Sequence, residues 1–268
     1  MVRLDKRLVV LAVGVCAISS AACDPAFGIK KFQEPGPEPV QRMTVGDFTL
    51  FLGSTDGDPK PGLTWGNGTG ASPGSYVGIL NRVASYGVQV VASNSQNTGT
   101  GVEMQQGIDV LLGGGFNVGG PFCASGHSQG GSGTVNSSVN ANVVCSIPVE
   151  PDNRFTASSN GRDIKGPALI LCGSTDGLAP CGAPNAATNG SGLYNQANVP
   201  VTQITVTGVG HFEPVGAGGI FAALVTAQTQ AVLKNDADAQ AALFGPRPGA
   251  TALEGLQDIR SKNFPGQP

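Results

Sequence analysis

A serine, an aspartate and a histidine, in that chain order, are the residues of this sequence whose types and spacing point to covalent chemistry. Ser128 lies in Gly126-His127-Ser128-Gln129-Gly130, the Gly-x-Ser-x-Gly pattern of a sharp strand-to-helix turn that presents a serine hydroxyl. The two glycines leave room for strained backbone and for the close approach of the following helix. A serine hydroxyl is a weak nucleophile at neutral pH and needs an imidazole to take its proton. The chain has only two histidines. His127, beside the serine, points its side chain away from the attack direction, so the base must be His211. It lies in Gly208-Val209-Gly210-His211-Phe212, where small residues let a loop fold over the serine.

The imidazole also needs an acid to fix its tautomer and stabilise its charged form. Asp176 is placed for this, after the apolar run Ala168-Leu169-Ile170-Leu171-Cys172 and Gly173-Ser174-Thr175. The bland alternative is a loop aspartate that caps the next turn. Asp163 is the reserve acid, but it precedes the same run and would fall at the wrong end of a sheet. Acyl transfer further requires N–H donors for a developing oxyanion. The amide of Gln129 is one by position. The second is expected in Gly66-Asn67-Gly68-Thr69-Gly70, at the amide of Asn67.

The elements that would hold these residues alternate. Phe48–Leu52, Gly62–Trp65, Val88–Ala92, Phe122–Ser125, Val143–Val149, Ala168–Cys172 and Val201–Thr207 read as strands, while Ser75–Tyr86, Val102–Leu112 and Ile220–Leu233 carry helical spacing. Alternation of this kind predicts an α/β fold, a mostly parallel sheet covered by helices on both faces. In such a sheet the loops at the carboxyl ends of strands line the ligand crevice, and the three candidate residues all follow strands. No internal repeat and no second core is evident.

The N-terminus reads as processing signal. Arg3, Lys6 and Arg7 precede the apolar run Leu8–Ile18, and Ser20-Ala21-Ala22 offers small residues before Cys23, the order of an export signal over residues 1–22. Cys23 fits a lipidated cysteine, which would make a membrane anchor, or simple secretion after cleavage at Ala22. Residues 23–42 are expected to be a linker stiffened by Glu34-Pro35-Gly36-Pro37-Glu38-Pro39. The folded domain is then expected over 43–268, beginning near Met43.

With Cys16 and Cys23 set aside, Cys123, Cys145, Cys172 and Cys181 form an even set with three connectivities. Cys123 and Cys145 lie in runs expected to be neighbouring strands, and Cys172 and Cys181 bracket one loop. Pairing 123 with 145 and 172 with 181 is therefore expected in an oxidising compartment. Zinc spacing is wrong and no histidine is spare. Ser54-Thr55-Asp56-Gly57-Asp58 is too short for a calcium loop and reads as a turn. No metal or cofactor is expected. With Lys+Arg 15, Asp+Glu 18 and a net charge of -3, there is no basic stripe for nucleic acid.

Gly126-His127-Ser128-Gln129-Gly130-Gly131-Ser132-Gly133-Thr134, Thr175-Asp176-Gly177-Leu178-Ala179-Pro180 and Gly210-His211-Phe212-Glu213-Pro214 resemble the nucleophile, acid and base motifs of one family. It is the bacterial cutinase and poly(ethylene terephthalate) hydrolase branch of the α/β hydrolases, related to chlorophyllase-like esterases. The likeness runs loosely from Met43 to Phe244. It implies a lidless α/β-hydrolase fold and carboxylic-ester hydrolysis by a Ser128, Asp176, His211 triad, without a cofactor. Three departures bear on substrate: Gln129 stands where that branch usually has Met, Asn67 where an aromatic follows the oxyanion glycine, and Asp152 where a cleft tryptophan is expected. Without those rings an aromatic acid loses its stacking partners. Short or medium aliphatic acyl esters, as small molecules or polyesters, are therefore the expected substrates of an exported monomer. The same triad would also serve an amidase, thioesterase or perhydrolase, and an inactive cell-surface binding protein would keep the fold alone.

Overall fold

A computed structural model describes residues 27–152, 159–181, 190–245, 248 and 255–266. The export signal, residues 1–22, and Cys23 lie outside the described residues. A nine-stranded sheet organises the chain in the order β1-β2-β4-β3-β5-β6-β7-β8-β9. Its strands are β1 (Gln41–Val45), β2 (Phe48–Leu52), β3 (Lys60–Gly66), β4 (Gln89–Ser93), β5 (Val118–His127), β6 (Val143–Val149), β7 (Ala168–Gly173), β8 (Val201–Val206) and β9 (Leu256–Lys262). From β4 through β3 to β8 every pairing is parallel, while β1, β2 and β9 join antiparallel at the two edges.

The expected strands and helices are present, and strand periodicity explains the two-sided core. In β7, Leu169 and Leu171 face one layer and Ala168, Ile170 and Cys172 the other, all buried. The first layer is closed by α2 (Val77–Ser85), α6 (Gly219–Leu233) and α7 (Ala237–Leu243). The opposite face is covered by α3 (Val102–Gly113), α4 (Gln129–Ser137) and α5 (Gly190–Gln196). Cys123 and Cys145 are register partners on β5 and β6 and are disulfide-bonded. Cys172 and Cys181 form the second bridge, across the loop that carries Asp176.

The chain enters the core earlier than Met43. A short helix, α1 (Phe27–Lys30), and the 3₁₀ turn Lys31–Gln33 bury Ile29 and Phe32 in the α2/α6/α7 layer. Arg82 donates to the Phe32 carbonyl at 2.8 Å, and Lys31 pairs with Asp236 at 2.8 Å. The proline-rich segment is neither helix nor strand, as expected. It is nonetheless held to the domain, with the Gly36 amide on Ser85 Oγ at 2.7 Å and the Glu38 amide on the Ser85 carbonyl at 3.0 Å. Prolines stopped regular structure there without releasing the chain. The Ser54–Asp58 segment is a turn whose carbonyls at Thr55, Gly57 and Asp58 accept from the Asn117 side-chain amide.

Candidate active site

Strand β5 ends at His127 and the chain reverses at Ser128, which has φ 58° and ψ -122° before α4 begins. A non-glycine residue at positive φ is strained, and such strain persists where surrounding structure imposes it. Here the imposing structure is glycine packing. A Cβ on Gly130 would run into the Gly66 carbonyl, and one on Gly126 into the Gly130 carbonyl. The N-terminus of α4 therefore sits directly on the end of β3. Ser128 stays at the mouth of the turn, 9% exposed.

His211, in the loop after β8, places Nε2 2.9 Å from Ser128 Oγ and Nδ1 2.8 Å from Asp176 Oδ2. An acid-oriented Nδ1–H leaves the Nε2 lone pair to accept the serine proton. Asp176 follows β7, and both readings of it hold, one per oxygen. Its Oδ1 accepts the amides of Leu178 and Ala179, each at 2.8 Å, while Oδ2 holds the imidazole. Burial pushes its pKa up, but the hydrogen bonds from His211, Ala179 and Leu178 outweigh that and hold the carboxyl below its ordinary value. Asp163 is exposed in a 3₁₀ turn ahead of β7, away from this group.

His127 is buried and engaged elsewhere. Its Nε2 lies 2.7 Å from the His211 carbonyl oxygen, which can only accept, so Nε2 carries the proton. Nδ1 then accepts from the Tyr76 hydroxyl at 2.9 Å, and Tyr76 Oη in turn accepts the Gly68 amide at 3.0 Å. Burial, with the neighbouring His211, pulls the His127 pKa down to about 3, so the ring is neutral. Burial pushes the Tyr76 phenol up to about 12. The loop after β3 is thereby tied through Tyr76 and His127 to the loop that carries His211. Trp65 packs on Tyr76 with ring centroids 5.0 Å apart and is fully buried behind the loop.

Gln129, as the first residue of α4, has an amide with no intrahelical acceptor, the position expected of an oxyanion donor. Asn67 is the first residue after β3. It is wholly buried and spends its side-chain amide on the carbonyls of Ser93 and Ser95 at 2.6 and 2.9 Å. The residues of this loop that line the cleft at Ser128 are Gly68, Thr69, Gly70 and Ala71.

That cleft has a volume of about 380 Å³. Ala71, Leu178, Phe212 and Val215 give it an apolar rim, with Phe212 70% exposed, and Asp152 stands on its wall. A larger cavity of about 530 Å³ lies behind the acid loop, near Gln203 and Arg260, but Ser128 is not on its wall. Sequence reasoning missed Tyr76 and Glu150. Glu150 ends β6 at φ 45° and buries its carboxyl completely, with Oε2 3.3 Å from His127 Nε2 and 4.0 Å from His211 Nδ1. Donor atoms of His127, Glu150 and His211 lie within 4.8 Å of one another, close enough for one metal ion. Both histidine nitrogens in that group already point protons at other acceptors, so the arrangement suits hydrogen bonding better than ligation.

No family model and no curated protein matches the chain.

Proposed function

We propose that the protein is a serine hydrolase of the α/β-hydrolase fold that cleaves carboxylic esters through an acyl-enzyme. One observation carries the reading: Ser128 Oγ, His211 Nε2/Nδ1 and Asp176 Oδ2 form a continuous chain at 2.9 and 2.8 Å, with the serine on a strained strand-to-helix turn. His211 takes the proton of Ser128 as Oγ attacks the ester carbonyl. The Gln129 amide and a second amide from the loop after β3, that of Asn67, stabilise the tetrahedral oxyanion, and the alcohol leaves with the proton from His211. Water repeats the cycle on the acyl-enzyme, with His211 again as base.

The resemblance to bacterial cutinases and poly(ethylene terephthalate) hydrolases supports the same activity. The apolar rim of the cleft and the carboxylate of Asp152 on its wall favour short or medium aliphatic acyl chains over aromatic acids. The two disulfides support export to an oxidising compartment. Hydrolysis of p-nitrophenyl esters from acetate to decanoate tests the reading, with p-nitroanilides and thioesters beside them. The expected result is ester turnover that Ser128→Ala lowers on the order of 10⁶-fold in kcat. Absence of wild-type turnover at every acyl length would sink the proposal.

A further inference from the structure

Two carboxyl groups, not one, face the Nδ1 edge of the base. Asp176 reaches it from the end of β7, and Glu150 from the end of the neighbouring strand β6, 4.0 Å away. The Glu150 amide donates to the Leu171 carbonyl at 2.8 Å, which fixes the residue beside the strand that delivers the acid. Its carboxyl has space because residue 173 is glycine: a Cβ there would lie 2.5 Å from Glu150 Oε1. Neither carboxyl oxygen has a hydrogen-bond partner among the described residues, and the backbone is left-handed at φ 45°. A buried, unpartnered acid on strained backbone carries two costs, which a fold retains where a site uses them.

We propose that Glu150 is a positioning residue for the base: a second carboxyl, buried beneath His211, that orients the imidazole through Nδ1 when Asp176 is not holding it. The proposal rests on the serine-hydrolase reading of the site.

The groups around Glu150 decide when it can act. They are His127 on β5, Asp176 after β7, His211 and Glu213 after β8, and the phenol of Tyr76. Burial, then the charges of Asp176 and Glu213, push the Glu150 pKa up to about 9, so at neutral pH it is an uncharged acid. Asp176, with two amides and the imidazole on its oxygens, wins the Nδ1 proton. Removing Asp176 deletes one of the charges that keep Glu150 protonated. Glu150 then ionises at lower pH and becomes the nearest acceptor for Nδ1–H.

The test is the pH profile of kcat on a p-nitrophenyl ester for wild type, Asp176→Ala and Asp176→Ala/Glu150→Gln, with Ser128→Ala as the background rate. In Asp176→Ala, activity is expected to climb with pH through a midpoint below about 9. Adding Glu150→Gln is expected to abolish the climb and lower alkaline kcat by roughly tenfold or more. A purely structural glutamate would lower both limbs equally and leave the midpoint in place. Should Asp176→Ala fail to fold by circular dichroism, Asp176→Ser supplies a hydroxyl that can accept from the loop amides of Leu178 and Ala179 and carries the same comparison. Superimposable profiles with and without Glu150 overturn the proposal while a Ser128-dependent wild type leaves the hydrolase reading intact. An inactive wild type overturns both.

Discussion

Tyr76 is the residue whose loss separates positioning from chemistry, because its hydroxyl bonds to neither Ser128 nor Asp176 and still joins two loops of the site. In Tyr76→Phe the Gly68 amide loses its acceptor and His127 Nδ1 loses its donor, both in buried surroundings. Each group left unmatched costs about 1–3 kcal/mol. Thermal unfolding is expected to show a lowered Tm, and steady-state kinetics a lower kcat with KM little changed. An unchanged kcat would show that the link between the loops has no part in turnover. The triad was legible in sequence because each member sits in a local pattern that reports its own backbone: a glycine-flanked turn for Ser128, and strand ends for Asp176 and His211. Tyr76 and Glu150 carry no such pattern. Tyr76 looks like one more apolar position of a helix, and Glu150, in Glu150-Pro151-Asp152, reads as an exposed loop acid. Only the tertiary fold turns them toward the histidines.

Among the elements, the contact between the start of α4 and the end of β3 holds Ser128 in place. Gly66, Gly126 and Gly130 meet backbone to backbone, with no space for a Cβ at Gly130. Gly130→Ala is expected to push α4 off β3 at a cost of about 1–3 kcal/mol, seen as a Tm lower by roughly 2–4 °C per kcal/mol. Because α4 carries Ser128 at its N-cap, the 2.9 Å bond to His211 should lengthen and kcat fall further than Tm. Wild-type kcat in a destabilised Gly130→Ala protein would refute the coupling. The alternating strands and helices of this layer were readable from apolar periodicity. The edge strands were not: β1 (burial mixed along its length) and β9, with Asp258, Arg260 and Lys262, are too polar to register as strands until their antiparallel neighbours are known. The short N-terminal α1 was hidden by the prolines that follow it, although Ile29 and Phe32 are as buried as the centre of the sheet.

For the whole molecule, two neutral buried groups shifted in opposite directions make opposing contributions to stability across pH. Glu150 has a folded pKa of about 9 against 4.5 for the free group, so its contribution is fully present below 4.5 and is lost as pH rises toward 9. His127 is the reverse: a folded value of about 3 against 6.5 means its contribution is present above 6.5 and is lost as pH falls toward 3. Between 4.5 and 6.5 the two slopes oppose each other, and this pair places the stability plateau there. Tm measured across pH should therefore show the Glu150→Gln variant gaining on wild type as pH rises from 4.5 to about 9. A difference that does not vary with pH would mean that Glu150 ionises normally in the folded protein. One further consequence follows from the two hydrogen bonds that converge on His211. Ser128 faces its ring and His127 holds its carbonyl, so consecutive residues at the tip of one strand grip a single distant residue by both side chain and backbone. Ser128 and His211 are thereby tied to each other at two points, through the ring and through the backbone. A substitution at position 127 would therefore reach His211 through the backbone as directly as one at position 128 reaches it through the ring: the first histidine serves as a mount for the second.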